Sequence, residues 1–315
     1  MIALIFIFGY VIITLEHAFN INKAASALLT GVLCWVAYLF NASDAHLVSE
    51  QLMEHLGEVS GILFFLLGAM TVVELIDAHD GFRIVTNAIK TTNKRKLLWI
   101  IGFFTFFLSA VLDNLTTSIL MVSLLRTLVK DKDDRWFFLG IVIIAANAGG
   151  AWSPIGDVTT TMLWIGGQIT STNIILKLFI PSLVCLVIPL ILISFKMKGN
   201  ISGEIEAEIK ESRANKFSRN VIFFTGIGTL LFIPVFKSVT HLPPFMGMLM
   251  GLGILWVVSE IIHKDKDTKD KDALSVVFAL RKVDTPSILF FLGILIAISA
   301  LQSSGLLAQF AIQLD

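Results

Sequence analysis

Two groups of polar residues lie in the middle of long apolar runs, where polar side chains are costly unless they have work to do. The first is Ser109-Ala110-Val111-Leu112-Asp113-Asn114-Leu115-Thr116-Thr117-Ser118, inside the run Leu97–Val129. Asp113 offers a carboxylate that can take a proton or an alkali cation, and Asn114, Thr116 and Thr117 add neutral oxygens. Hard cations prefer oxygen ligands, and backbone that leaves the helical ladder exposes carbonyls as well. The second group is Asn147–Thr161, inside Trp136–Thr170, where Asn147, Ser153, Asp157, Thr159 and Thr160 supply side-chain oxygens. Gly149, Gly150, Pro154 and Gly156 are expected to unwind the helix there, because proline cannot continue the ladder and glycine is a poor helix former. Each aspartate also fits as the N-cap of the helix that follows it. Capping alone belongs at a membrane surface, so a sodium site drawing on Asp113 and Asp157 is the expectation. Burial penalises a charged carboxylate and a bound cation offsets that penalty. One pocket that holds either H⁺ or Na⁺ is a sufficient basis for exchange.

The rest of the chain suits such a role. It has 315 residues, 56% hydrophobic and 15% charged, against about a quarter charged for a soluble domain. The charges gather in short segments between apolar runs, the pattern of membrane spans joined by aqueous loops. Lys+Arg and Asp+Glu are equal at 24 each, which removes any electrostatic case for nucleic acid. Cys34 and Cys185 sit inside apolar runs and read as packing residues, with no disulfide or metal expected. No cofactor is implied. The start, Met1 to Thr14, has no basic segment or cleavage site and reads as a first span.

About 20 apolar helical residues cross a bilayer core. The candidates are Met1–Thr14, Ala24–Phe40, Gly61–Ile76, Leu97–Val129, Trp136–Thr170, Ile174–Phe195, Val221–Phe236, Phe245–Ile262 and Pro286–Leu301. Asn41–Glu58 carries acids and no Lys or Arg, and reads as an outer loop. Asp77–Lys96, the segment after Val129, the linker 196–220 and Lys264–Lys282 are basic or mixed and read as cytoplasmic. Both ends of Leu97–Val129 then lie on one side, so the run is expected to be a re-entrant hairpin with its tip at Asp113–Leu115. Trp136–Thr170 is expected to cross as a broken helix. Glu74 and Asp77 fall at the cytoplasmic end of Gly61–Ile76, and His17, His46, His55, His79, His241 and His263 read as solvated surface histidines.

An internal similarity organises these spans. Gly61-Ile62-Leu63-Phe64-Phe65-Leu66-Leu67-Gly68 resembles Ser287-Ile288-Leu289-Phe290-Phe291-Leu292-Gly293, and Gly31-Val32-Leu33-Cys34-Trp35-Val36 resembles Gly253-Ile254-Leu255-Trp256-Val257. The charge rule runs the first Phe-Phe-Leu segment inward and the second outward, the signature of inverted repeats in secondary transporters. The expected organisation is a first repeat at 1–195, a cytoplasmic linker at 196–220, and the start of a second repeat at 221–315. That second repeat ends before its own hairpin and broken helix, so about 90 to 100 residues are expected beyond the chain.

With these residues in view, the chain resembles the NhaD-type sodium/proton antiporters, relatives of arsenite-efflux and citrate or dicarboxylate carriers. The resemblance begins at Gly9-Tyr10 through Leu15-Glu16-His17 and at Ile21-Asn22-Lys23-Ala24-Ala25, and continues through Phe64–Asp77 and Gly81-Phe82-Arg83. It is most specific at Leu112-Asp113-Asn114-Leu115-Thr116-Thr117 and over Asn147–Trp164. It implies an all-α polytopic membrane protein with inverted repeats, each with a re-entrant hairpin and an unwound helix, moving like an elevator and often paired as a homodimer. It further implies sodium and protons as substrates, a bilayer (bacterial inner membrane) as its setting, and ion-handling roles for Asp113, Asn114, Thr116, Thr117, Ser153, Asp157 and Thr159.

Rival readings remain. An arsenite or organic-anion carrier of the same fold is disfavoured for anions, because Asp113 and Asp157 would repel a carboxylate. An inactive fragment lacking its second half-site is the other transport-fold alternative. An intramembrane aspartyl protease would need Gly-x-Gly-Asp, whereas the residues here are Pro154-Ile155-Gly156-Asp157. No enzyme is expected.

Overall fold

The computed structural model describes residues 1–83, 91–201, 215–264 and 268–314. Its regular elements are helices: α1 Ile2–Thr14, α2 Glu16–Phe19, α3 Lys23–Asn41, α4 Ala45–Ala78, α5 Lys94–Ser109, α6 Asn114–Leu128, α7 Lys132–Ala151, α8 Val158–Ile165, α9 Ser171–Lys196, α10 Lys216–Thr240, α11 Pro244–Ile262, α12 Thr268–Ala273, α13 Val276–Lys282, α14 Thr285–Ser303 and α15 Leu306–Leu314. Among the described residues, α3, α4, α9, α10, α11 and α14 are long and apolar enough to cross a membrane. Most of the expected linker at 196–220, and the basic residue Lys90 of the expected loop Asp77–Lys96, lie outside the described residues.

The chain divides into two compact units, Met1–Leu67 with Val283–Asp315, and Gly68–Lys282. In the first unit α3 and α14 cross closely because both contribute glycine. A side chain on Gly31 would meet the Gly293 carbonyl at 2.8 Å, and one on Gly293 would strike the Ala27 backbone. Trp35 donates its indole N–H to the Ile296 carbonyl (2.9 Å) across the same crossing. Ile2, Cys34, Trp35, Val48, Ala297 and Ala300 form the core. One expectation is corrected here. Asn41–Glu58 is not an open loop, since α4 is helical from Ala45 and runs 34 residues. Asp44 caps its start by accepting from the His46 N–H (2.8 Å), and Val48 turns the polar first turns into a packed face.

In the second unit α5, α6, α7 and α9 share one core, with Leu97, Ile101, Phe106, Leu125, Ile141 and Leu186 among its buried members. The run Leu97–Val129 is broken, but earlier than the expected tip at Asp113–Leu115: α5 ends at Ser109, the turn is Ala110–Asp113, and α6 starts at Asn114 because Asp113 caps it. At 16 and 15 residues the two helices each rise about 24 Å or less, too short for a bilayer core of about 30 Å. The ends of this run are held together. Lys94 pairs with Asp134 at 2.6 Å, and Arg135 donates to the Val129 carbonyl at 2.8 Å. The chain therefore goes out along α5 and returns along α6. At the same end, Ile201 N–H donates to the Thr92 carbonyl (2.8 Å) and Lys94 N–H to the Gly199 carbonyl (3.1 Å), so α9 finishes where α5 begins.

Histidine burial departs from expectation at two positions. His79, just past α4, and His263, just past α11, are buried, with ring centroids 5.0 Å apart. Ser218 of α10 lies 3.0 Å from His263 Nε2. Helix ends that converge on one another bury residues that a linear reading assigns to solvent.

Candidate ion-binding site

The tip of the α5–α6 hairpin meets the break between α7 and α8. Glycine makes this possible. A side chain on Gly149 would strike the Phe106 carbonyl, one on Gly150 the Gly156 carbonyl, and one on Gly156 would lie 2.5 Å from the Ser109 carbonyl. Backbone thus packs on backbone at the crossing of the two broken segments. Ser109 closes it by donating its hydroxyl to the Ala146 carbonyl at 2.6 Å, fully buried. Gly149 and Gly150 are consequently not part of the unwound stretch. They lie inside α7, which runs to Ala151, and only Pro154 and Gly156 of the four expected breakers fall in the gap before α8. The helix continues through the glycines because its ladder stays intact there. It stops where Pro154 withholds an N–H.

The two aspartates differ in what holds them. Asp113 is the N-cap of α6: one carboxylate oxygen accepts from the Thr116 N–H (2.8 Å) and the other from the Thr116 hydroxyl (2.6 Å). The capping reading of Asp113 is therefore correct as far as it goes. Asp157 occupies the N-cap position of α8, yet its side chain makes no capping hydrogen bond. Instead it accepts from Asn114 Nδ2 at 3.2 Å. The other N–H of that amide points to Asn147 Oδ1 at 3.3 Å. Asn114, directly after the Asp113 cap, thereby joins the hairpin tip to both sides of the neighbouring break. A carboxylate oxygen and an amide oxygen converge on one amide.

The remaining expected residues divide. Ser153 is buried in the break, its hydroxyl accepting from the Ile155 N–H at 3.3 Å. Thr160 donates towards the Ser153 and Asp157 carbonyls (3.0 and 2.9 Å), and Thr161 donates to the Pro154 carbonyl at 3.1 Å. These hydroxyls anchor α8 to the break and hold its carbonyls in place. Thr159 is exposed, as is Asn147. Thr117 is fully buried one turn into α6, and its hydroxyl has no hydrogen-bond partner among the described residues. An orphaned oxygen of this kind costs about 1–3 kcal/mol unless something fills the place of its partner. Two residues of these groups, given no role from the sequence, matter here. Ser109 was visible as a polar residue in an apolar run. Trp152, whose ring lies 5.1 Å from Phe179 and 5.9 Å from Phe106 and walls the break with aromatics, carried no signal apart from its size.

The citrate transporter family model matches residues 8–315. The chain belongs to that family. Among curated relatives it is similar to sodium/proton antiporter 1 of Arabidopsis thaliana, 46% identical over 99% of this chain and 54% of the relative. It is likewise similar to sodium/proton antiporter 2 of the same plant, 45% identical over 99% of this chain and 74% of the relative. The Na⁺/H⁺ antiporter NhaD of Vibrio cholerae is 30% identical over 96% of this chain and 68% of the relative. The chain thus spans only part of each relative, about half of the first. Membership of this transporter family, with helices long and apolar enough to cross, makes the chain a multi-pass membrane protein. The matched residues include both the turn between α5 and α6 and the break between α7 and α8.

Proposed function

We propose that the protein exchanges sodium, and lithium as a second cation, for protons across its membrane. The observation that carries this reading is the Asn114 amide shared by Asp157 and Asn147, with the Asp157 carboxylate free of any capping duty. The amide N–H groups of Asn114 reach both oxygens. A proton on Asp157 or a sodium ion beside it replaces that arrangement, and the two compete for the same oxygen. Sodium would draw on Asp157, Asn147 and Asn114 side chains, on Thr117, and on carbonyls of the Ser153–Asp157 break, with Asp113, Thr116, Thr159 and Thr160 completing the polar surroundings. The antiporter names of the plant and Vibrio relatives support the choice of cation.

Citrate is the substrate in the name of the family model. An organic trianion would have to approach Asp113 and Asp157, and Arg126, Lys130 and Lys132 lie at or beyond the other end of α6, so the local charge disfavours it. We further propose that the α5–α6 hairpin is re-entrant, that the site belongs to one of two inverted repeats working by an elevator movement, and that the protein pairs as a homodimer. A bacterial plasma membrane remains the proposed location; relatives from a plant make a plant membrane the competing one. No enzymatic step is assigned.

The test is reconstitution of the complete gene product in liposomes with a pH-sensitive dye inside. Sodium and lithium pulses are expected to move protons, and potassium, citrate and arsenite are not. Proton movement driven by citrate or arsenite, with none driven by sodium, overturns the proposal.

A further inference from the structure

Lys237 is an unusual residue for its place. It lies in the last turn of α10, whose other charged residues, Lys216 and Arg219, stand at the opposite end. A lysine there could stabilise the end of its own helix or reach for water. Its ammonium instead reaches another helix: it donates to the Trp164 carbonyl at 2.7 Å and sits over the Trp164 ring, 4.5 Å from the centroid. Trp164 is in the last turn of α8 and is almost wholly buried, 1% exposed. The last carbonyls of a helix have no partner within it and carry its partial negative charge, so a cation there is favoured twice, and the aromatic face adds a third attraction.

We propose that Lys237 is a positioning residue for ion binding: it clamps the outer end of α8 and so fixes Asp157 at the inner end. This rests on the exchange reading given above. α8 has eight residues and rises about 12 Å, short enough to move as a rigid rod. Its first turn is anchored to the break by Thr160 and Thr161, and its last turn is anchored by Lys237. Without Lys237 the last turn is held by the packing of the Trp164 ring alone, and a tilt of the rod about Thr160 and Thr161 displaces Asp157 on their other side. Ion coordination depends on oxygens placed to within about half an ångström, so a swing of that size weakens sodium binding without removing any ligand. Asp157 is the group most sensitive to it, because the single described hydrogen bond of its carboxylate is the long one from Asn114.

The experiment compares Lys237→Met, which keeps length and removes charge and donor, with Lys237→Arg, which keeps charge, donor and the stacking face. Each variant of the complete gene product is reconstituted and assayed for sodium-driven proton movement. Hydrogen exchange of the α8 amides is measured on the same preparations. The clamp predicts that Lys237→Met raises the apparent KM for sodium about tenfold with the maximal rate within about twofold, and that α8 amides lose protection while α5 and α7 do not. Lys237→Arg is expected to restore both. Unchanged KM and unchanged α8 protection in Lys237→Met overturn the proposal, as does an equal fall in maximal rate for both variants with KM unmoved. If the parent protein moves no protons with sodium, the exchange reading fails on its own. The α8 protection then still decides whether Lys237 is a clamp.

Discussion

Asn114 Nδ2 and Asp157 Oδ1 stand 3.2 Å apart, linking a residue just past the hairpin tip to one just before a half-helix in the adjacent segment. A hydrogen bond to a charged group contributes about 1.5–3 kcal/mol. Replacing Asn114 with alanine removes it and the link to Asn147 as well. Asn114→Ala is expected to raise the apparent KM for sodium tenfold or more in a liposome assay, with insertion retained and the melting temperature lowered by several degrees. A KM equal to that of the parent protein would mean that Asn114 is only a packing residue.

Asp113 allows capping to be separated from ion handling. Asp113→Ala removes the cap of α6 and is expected to cost about 1 kcal/mol of stability, whereas Asp113→Ser can cap and should cost a few tenths. Both variants lack the carboxylate. Thermal unfolding in detergent should therefore distinguish them while sodium-driven proton movement is weakened in both. A serine variant with normal exchange would confine Asp113 to capping.

The glycines of the crossing predict a different phenotype. Gly149→Ala and Gly156→Ala each push a methyl group into backbone carbonyls that cannot step aside, at Phe106 and Ser109. Overpacking of this kind costs about 2–3 kcal/mol. Gly140 of the same helix α7 has no atom within 4 Å of where a methyl would go. Gly140→Ala is expected to be neutral or to stabilise by up to about 1 kcal/mol. Melting temperatures of the three variants check this directly: equal values would mean that the crossing is loose.

Much of this was legible in the sequence, and the exceptions share a cause. Spans such as Ile174–Phe195 and Phe245–Ile262 announced themselves because 18 or more apolar residues have no soluble alternative. The hairpin break was legible because Asp113 and Asn114 are too polar for the middle of a span. The exit from α7 was placed too early, at Gly149 and Gly150, since helix propensity treats glycine as a breaker whatever packs against it. Here close approach of Phe106 is the reason for glycine, and the helix continues. The first turns of α4 read as a loop because Glu50, Gln51 and Glu54 hide the packed position of Val48. His79 and His263 read as solvated because burial at the meeting of helix ends depends on partners far away in sequence. Lys237 and Trp164 were unpaired in the sequence for the same reason.

Thr117 tests whether an orphaned hydroxyl waits for a cation. Thr117→Val keeps the shape and removes an oxygen that has no partner among the described residues. Stability is expected to hold or rise slightly, because a buried unsatisfied group is lost. The apparent KM for sodium is expected to rise severalfold. A drop in melting temperature with unchanged KM would assign the hydroxyl to the fold.

The central claim is that the Asp157 carboxylate takes a proton and a sodium ion in turn. Sodium-driven proton movement by Asp157→Asn in liposomes tests it most directly, since asparagine keeps the shape and the contact distance to Asn114 while losing both charge and titration. The account predicts a loss of about a hundredfold or more, in a protein that still inserts and melts like its parent. Exchange at the parent's rate and sodium affinity would contradict it.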